Sequence, residues 1–111
     1  MDQQTDIWQQ LSDDEMHFYS RQILLDGWDI DAQEKLKLAN VLLIGAGGLG
    51  CLTAELLTRA GVGKLTILDA DQIETSNLQR QVAFQPQDIG FYKAETLAKR
   101  LKQINPHICV E

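Results

Sequence analysis

The sequence predicts an α/β fold built on a doubly wound parallel sheet, of which this chain carries the N-terminal half, preceded by two helices. Three observations predict it. An apolar run at 41–44 leads into the glycine-rich segment GAGGLG, a helical apolar pattern follows, and a second apolar run at 65–68 ends at an aspartate. Short continuous apolar runs are typical of strands covered on both faces, as in parallel sheets. A Rossmann-like arrangement is therefore expected.

Two helices are predicted ahead of the first strand. We expect residues 1–11 to be a mobile leader. Ser12 and Glu15 then match the S-x-x-E capping box that begins a helix. The apolar face of this helix is formed by Met16, Tyr19 and Ile23. Gly27 is expected to end the helix. A second N-cap signal, Asp31 with Glu34, begins a helix whose short buried stripe is Leu36 and Ala39.

The remaining elements alternate between strand and helix. The helix after the first strand is indicated by four residues that recur on one helical face, Leu49, Leu52, Leu56 and Ala60. Gly61 and Gly63 stop it, and the second strand follows at 65–68. A polar stretch at 71–90 leads to a helix marked by Ala94, Leu97, Ala98, Leu101 and Ile104. Asn105-Pro106 ends that helix because proline cannot continue its hydrogen bonds, and a third strand begins at Ile108.

The first strand is expected to pair on both sides, since it lies centrally in the common six-strand order. Its second neighbour has no counterpart in this sequence, and an unpaired apolar edge promotes aggregation. We therefore expect the chain to be part of a longer protein. The alternative is a small domain that covers this edge by dimerising.

Composition narrows the function classes. The 111 residues suit one domain, and the balance of 44% hydrophobic with 23% charged residues is globular. The net charge of −6 argues against a nucleic-acid partner. No apolar run approaches the ~20 residues that span a bilayer, and no signal peptide is recognisable, so a cytoplasmic location is expected. Cys51 and Cys109 form no CxxC motif, which disfavours a disulfide framework or a zinc site.

The glycine-rich segment predicts a phosphate-binding loop, because it follows a strand and opens a helix. Gly45 permits the tight turn, Gly47 and Gly48 let a ligand approach the backbone, and Gly50 lets the helix pack closely. Asp69 lies nineteen residues after Gly50, where a carboxylate can accept hydrogen bonds from ribose hydroxyls. These features predict a nucleotide but fit a nicotinamide-dependent dehydrogenase equally well.

Polar residues after the second strand favour ATP over a dinucleotide. The triphosphate carries more negative charge, so its site requires additional cations. Arg80 can hold phosphate oxygens with its planar fork, and Lys93 can act as a point charge. Asn77 can donate to a phosphate or a ribose. Taken singly, Arg80 and Lys93 are more often solvated surface residues; their combination with the glycine loop favours the ATP hypothesis.

Five segments together resemble a known family. They are FYSRQILLDGWDIDAQEKLKLANVLLIGAGGLG, AGVGKLTILDAD, SNLQRQ, GFYKAE and INPHI. In this order and spacing they resemble the molybdopterin-synthase adenylyltransferases. The thiamine-pathway adenylyltransferases and ubiquitin-activating enzymes are more distant relatives. The resemblance runs from about Ser12 to the end, which makes 12–111 the N-terminal part of an ATP-binding adenylation domain.

The resemblance implies a reaction and its cofactors. Family members bind ATP and Mg²⁺, and the C-terminal glycine carboxylate of a ubiquitin-like sulfur-carrier protein attacks the α-phosphate. Pyrophosphate leaves and an acyl-adenylate forms. The family's metal-binding aspartate has no match in this chain, so no metal ligand is assigned. Zn²⁺ is expected only in the CxxC-bearing C-terminal part of such proteins.

Residue roles follow from the matching motifs. The resemblance implies that Gly48 lies in the phosphate loop and that Asp69 binds the ribose. It implies nucleotide contacts for the segment formed by Ser76, Asn77, Leu78, Gln79 and Arg80. Within it Asn77 and Arg80 face the phosphates, as does Lys93. Arg21 matches an arginine that reaches into the ATP site of a partner subunit, which implies a homodimer. Arg21, Arg80 and Lys93 are thus the expected catalytic residues. Without the resemblance, Arg21 would be interpreted as a surface ion-pair residue.

Other functions stay open at this level. The chain could be a non-catalytic module that binds nucleotide or a carrier protein, or a dehydrogenase cofactor domain. The carrier could belong to molybdopterin or thiamine biosynthesis, and other relatives activate a carboxyl group on modified tRNA. Tyr92 stands where relatives usually have proline. Cys51 is expected to be packed, and His17 and His107 to be structural or exposed.

Overall fold

The computed structural model describes residues 10–111, so most of the predicted leader at 1–11 lies outside the described residues. The helices are α1 (Asp13–Phe18), α2 (Ser20–Ile23), α3 (Asp29–Lys37), α4 (Gly48–Ala60) and α5 (Lys93–Ile104). The strands are β1 (Asn40–Ile44), β2 (Lys64–Leu68) and β3 (Cys109–Val110). Two short 3₁₀ turns, Thr75–Asn77 and Pro86–Asp88, lie between β2 and α5. Among the described residues, no helix has the length and apolar character needed to cross a bilayer.

The three strands form one parallel sheet in the order β1-β2-β3. The predicted α/β class and parallel sheet are confirmed. Val41 aligns with Leu65 and Leu43 with Ile67, so these four side chains point to the same face. That face carries the hydrophobic core, together with residues from α4 and α5.

The opposite face of the sheet is exposed in this chain. Leu42 and Ile44 are 60% and 74% exposed, and Leu68 beside Ile44 is similarly open. The prediction that Val41–Ile44 is covered on both faces is therefore wrong for this chain. Both crossovers run in the same direction along the sheet, and right-handed crossovers then place both helices on one face. Consistent with this, α4 and α5 contact one another.

Helix α4 buries a different face from the one its leucines suggest. Leu49, Leu52 and Leu56 do share a face, but that face is exposed, with Leu49 at 80%. The fully buried residues of α4 have small or short side chains, Cys51, Ala54 and Thr58, and Leu57 packs partly buried against the core beside them. Small residues are needed here because they let α4 lie close to the sheet and to α5.

The leading helices differ from prediction in their boundaries. The capping box at Ser12 and Glu15 is confirmed, with Glu15 N–H donating to Ser12 Oγ over 3.1 Å. The single helix expected from Ser12 is divided at Tyr19, which is buried, whereas Met16 is exposed. The next helix begins at Asp29 rather than Asp31.

Polar side chains hold the leading helices on the core. Leu36 and Ala39 are only partly buried, and the fully buried residue of α3 is Gln33. Its Nε2 donates to the carbonyl of Ala60 over 2.8 Å, and its Oε1 accepts from Trp28 Nε1 over 2.9 Å. The prediction that Leu36 and Ala39 form the buried stripe of this helix is therefore wrong, because the periodicity of apolar residues does not reveal a buried glutamine.

Asn105 connects three parts of the chain. It is fully buried, and its Nδ2 donates to the hydroxyl of Tyr19 and the carbonyl of Thr58, each over 2.8 Å. Its Oδ1 accepts the N–H of His107 over 3.0 Å. The residue that ends α5 therefore also fixes the leading helices and the approach to β3.

We predict that Asn105→Leu destabilises the fold. The substitution keeps the volume but leaves the Tyr19 hydroxyl and the His107 N–H without their partner. Buried polar groups left unpaired cost about 1–3 kcal/mol each, so the free energy of unfolding should fall by about 3 kcal/mol. Urea denaturation measures this, with Gln103→Leu as the control because Gln103 is exposed in the last turn of α5, which Asn105 caps. Equal stability of the two variants would contradict the role of Asn105.

Candidate nucleotide-binding site

The glycine loop forms a tight turn between β1 and α4. Gly45 has φ of +100°, a conformation that favours glycine, and its N–H donates to the carbonyl of Leu68 over 2.9 Å. Gly47 is the N-cap of α4, and its carbonyl accepts the N–H of Cys51 over 2.7 Å. The N–H groups of the first turn of α4 are thus available at the end of the loop, where anions bind.

Gly50 is required by the loop itself. A Cβ at this position would lie 2.1 Å from the carbonyl oxygen of Gly45, far inside van der Waals contact. The sequence predicted that Gly50 serves close packing of the helix. In the structure, the surface it packs against is the backbone of its own loop, so Gly50 sets the tightness of the turn.

Asp69 joins the glycine loop to the segment after β2. One carboxylate oxygen accepts the N–H of Ala46 over 2.7 Å, and the other accepts the N–H of Asp71 over 2.7 Å. These contacts were not predicted from the sequence. A carboxylate offers about four acceptor sites, so both hydrogen bonds leave capacity for ribose hydroxyls. The role of Asp69 as a ribose ligand stays a prediction.

The segment from Ser76 to Arg80 turns its residues in different directions. Leu78 packs against the hydrophobic core, so it anchors the segment rather than offering a polar group to a ligand. Asn77 is buried, and its Oδ1 accepts the N–H of Glu74 over 2.8 Å. Its Nδ2 is the group that it can offer to a nucleotide.

Ser76, Gln79 and Arg80 lie on the exposed side of the same segment. The carbonyl of Ser76 accepts from Arg80 Nη1 over 3.0 Å and from Gln79 Nε2 over 3.3 Å. Arg80 also lies against the glycine loop, because a Cβ at Gly48 would be 3.6 Å from Arg80 Cγ. The structure therefore brings Arg80 and the loop together, as a joint phosphate site requires.

Lys93 is the least exposed cation of the site. It is the first residue of α5, is 7% exposed, and its N–H donates to the carbonyl of Asp71 over 2.9 Å. Its side chain borders a polar cavity of about 270 Å³ that is lined by Asp71, Gln72, Glu74 and Asn77 as well. Within residues 10–111, no carboxylate oxygen lies within 4.0 Å of Lys93 Nζ.

Arg21 lies away from the glycine loop of its own chain. It is exposed on α2, and its neighbour Gln22 donates from Nε2 to the carbonyl of Ala60 at the C-terminal end of α4. The glycine loop is at the other end of this 13-residue helix, about 20 Å away at ~1.5 Å per residue. The structure does not bring Arg21 together with Arg80 and Lys93.

The cysteines and histidines form no second site in the described region. No group of three His, Cys, Asp or Glu side chains there converges as metal ligands. Cys51 is buried under the glycine loop, and its Sγ donates to the carbonyl of Ala46 over 3.2 Å. His107 lies edge-on to Phe18, with ring centroids 5.4 Å apart. His17 and Cys109 are exposed.

Comparison with known proteins identifies a family. Residues 19–111 match the ThiF family. The chain is 50% identical over 101 residues to the molybdopterin-synthase adenylyltransferase of Escherichia coli K12, covering 91% of this chain and 41% of that protein. It is 45% identical over 97 residues to the adenylyltransferase and sulfurtransferase uba4 of Aspergillus niger, covering 87% of this chain and 20% of that protein. The chain thus spans well under half the length of these relatives.

Solved structures that are similar in sequence share this fold. The E. coli tRNA N6-threonylcarbamoyladenosine dehydratase TcdA superimposes with a TM-score of 0.83 at 33% identity, covering 89% of this chain and 41% of that one. E. coli MccB, solved with ATP, gives a TM-score of 0.69 at 41% identity, covering 70% of this chain and 23% of that one.

We predict that Cys51 reacts slowly with thiol reagents. Burial raises the pKa of its thiol, which outweighs the lowering by the Ala83 N–H and Lys93. The reactive thiolate is therefore scarce near pH 7. Labelling with a disulfide reagent should modify Cys109 rapidly and Cys51 only on unfolding, so Cys109→Ser should abolish the fast phase. The raised pKa also makes the stability of the fold depend on pH. The buried thiol is compatible with the folded state while it is protonated, so its contribution to stability is lost as pH rises through the raised pKa of Cys51. Fast labelling of Cys51 in the folded chain would contradict this.

Proposed function

The chain belongs to the ThiF family, and from that premise we propose that it is the nucleotide-binding part of an adenylyltransferase. The enzyme would use ATP to activate the C-terminal carboxylate of a ubiquitin-like sulfur-carrier protein. One observation carries the ATP assignment: Lys93, which is only 7% exposed, borders a polar cavity formed with the segment after β2, and its ammonium has no ion-pair partner in the described structure.

The charge of Lys93 favours an anionic ligand in this cavity. Removing a charge from water is costly unless an opposite charge or several hydrogen bonds compensate. Asp71 and Glu74 line the cavity, yet neither comes within 4.0 Å of Nζ. A triphosphate would supply the missing negative charge.

The other residues of the site would contact different parts of the nucleotide. The first turn of α4 and the glycine loop would bind phosphate through backbone N–H groups. Asp69, already held by two backbone N–H groups, would accept the ribose hydroxyls. Arg80 would leave the Ser76 carbonyl, an exposed neutral partner, for the charged phosphate, which is the stronger acceptor.

The chemistry is acyl adenylylation. A carboxylate oxygen of the carrier attacks the α-phosphorus, the bond from that phosphorus to the bridging oxygen breaks, and pyrophosphate departs with the electron pair. A carboxylate is already ionised at neutral pH, so no general base is required. Lys93 and Arg80 would stabilise the negative charge that grows on the leaving phosphates. Binding both reactants in line would supply much of the remaining acceleration.

Mg²⁺ has no prepared cage in the described part of the chain, where three acidic, histidine or cysteine side chains nowhere converge. Mg²⁺ is commonly bound through substrate phosphates with one or two carboxylates. We assign it no ligand among these residues and no step in the mechanism. The same holds for Zn²⁺, which the resemblance implies only for the CxxC-bearing C-terminal part of such proteins.

The identity of the acceptor is proposed from the relatives. The bacterial relative is named for molybdopterin synthase and the fungal one combines adenylyl transfer with sulfur transfer. A carrier protein of molybdopterin biosynthesis is therefore our choice over a thiamine carrier. A carboxyl group on tRNA, by analogy with TcdA, is the second candidate.

Arg21 supports a homodimer with shared sites. It is exposed at the end of α4 opposite the glycine loop, so it cannot act on the nucleotide of its own chain without refolding of α2. Exposed Leu24 and Leu25 follow it on the same surface. We propose that a second copy covers this surface and receives Arg21 in its ATP site.

We predict that Lys93→Met weakens ATP binding by about tenfold or more. Charge-assisted hydrogen bonds contribute about 1.5–3 kcal/mol, and methionine keeps the length of the side chain without its charge. Isothermal titration calorimetry measures the affinity, and Lys102→Met is the matched control because Lys102 is exposed on the same helix. A chain that binds NAD but not ATP would overturn the proposed function in favour of a dehydrogenase cofactor domain.

We predict that Arg21→Ala and Lys93→Met complement each other when mixed. In a two-fold dimer with shared sites, random mixing makes half the molecules mixed dimers, each with one intact site. About a quarter of all sites should then bind ATP tightly. The stoichiometry of tight binding measures this after the variants are mixed and re-equilibrated. Failure of the mixture to bind better than either variant would place Arg21 outside the site.

A further inference from the structure

Gln81 is a buried polar residue next to the glycine loop to which the sequence assigned no role. It follows Arg80 and is 2% exposed. Its N–H donates to the carbonyl of Asn77 over 2.9 Å, and its own carbonyl accepts the N–H of Phe84 over 3.1 Å. Its backbone is therefore fixed on both sides, and its side chain has a defined direction.

The carboxamide of Gln81 borders the space left by a glycine. A Cβ at Gly47 would lie 3.8 Å from Gln81 Nε2. Gly47 is the second glycine of the G-x-G-x-x-G pattern, the position where a missing side chain lets a phosphate approach the backbone. Nε2 therefore stands beside the space that a bound phosphate would enter, as Arg80 stands beside Gly48.

Hydrogen bonding gives a second, independent indication. The Oε1 atom of Gln81 is buried and has no partner among the described residues. An unpaired buried acceptor costs about 1–3 kcal/mol, which a methionine or leucine of similar size would avoid. A fully buried amide that does not complete its hydrogen bonds within the protein indicates a role towards a ligand.

We propose that Gln81 is a further nucleotide-contacting residue. Its Nε2 donates to a phosphate oxygen that lies over Gly47, and its Oε1 accepts from a water molecule bound with the nucleotide. This inference rests on the proposed ATP site and adds a residue to it. A neutral donor orients the phosphate chain without adding charge, whereas Arg80 and Lys93 supply the charge.

The test compares Gln81→Met with Gln103→Met in the same chain. Methionine keeps the length of glutamine and removes both polar atoms, and Gln103 is exposed on α5. Calorimetry measures the affinity for ATP and, by competition, for adenosine; thermal unfolding measures stability. We expect Gln81→Met to weaken ATP binding about tenfold, to leave adenosine binding unchanged, and to keep or raise the midpoint of unfolding.

A purely structural role predicts the opposite pattern. A lower unfolding midpoint with unchanged ATP affinity, or an equal loss for ATP and adenosine, would overturn the inference. If Gln81→Met does not fold, Gln81→Glu decides: it keeps the shape but replaces the donor by a negative charge, so it should weaken ATP binding and spare adenosine. If the unsubstituted chain binds no ATP, the proposed function fails and the inference with it. If that chain binds ATP and Gln81→Met binds it equally well, only the inference fails.

Discussion

The carboxylate of Asp69 is the contact on which the arrangement of the site depends. It accepts the N–H of Ala46 from the glycine loop and the N–H of Asp71 from the segment after β2. The carbonyl of Asp71 in turn accepts the N–H of Lys93 at the start of α5. Three parts of the chain that are distant in sequence are thereby joined through one short series of hydrogen bonds. Because two of these bonds end on a charged acceptor, they are stronger than ordinary backbone pairs.

This series explains how cations and a phosphate loop come to face one space. Parallel strands end at the same edge of the sheet, so the loop after β1 and the segment after β2 are neighbours. Arg80 and Gln81 then lie against Gly48 and Gly47, where the glycines leave room for a phosphate. Lys93 lies at the start of α5 and borders the polar cavity beside this segment. The backbone therefore determines where the site lies, and the charged side chains determine which ligand it favours.

The apolar surfaces show how sequence patterns succeed and fail. Periodicity correctly predicted α4 and its leucine-bearing face, but that face is exposed, and the buried face is the one with Cys51, Ala54 and Thr58. Apolar character identifies a surface that will be covered in some context, and only the packing shows which surface this chain covers. The same applies to β1, whose run of apolar residues is partly buried on one face and exposed on the other.

The sequence by itself determined the parallel α/β fold, the glycine loop, the capping box at Ser12 and the family, because these features depend on local spacing and on residues with special backbone properties. The binding roles of the site residues stay predictions. Only the tertiary structure showed that Asp69 holds two backbone N–H groups, that Gln33 and Asn105 fix the leading helices, and that Gln81 borders the phosphate loop. Polar side chains of this kind carry no periodic signal. Their partners are distant in sequence, so their roles are decided only when the chain is folded.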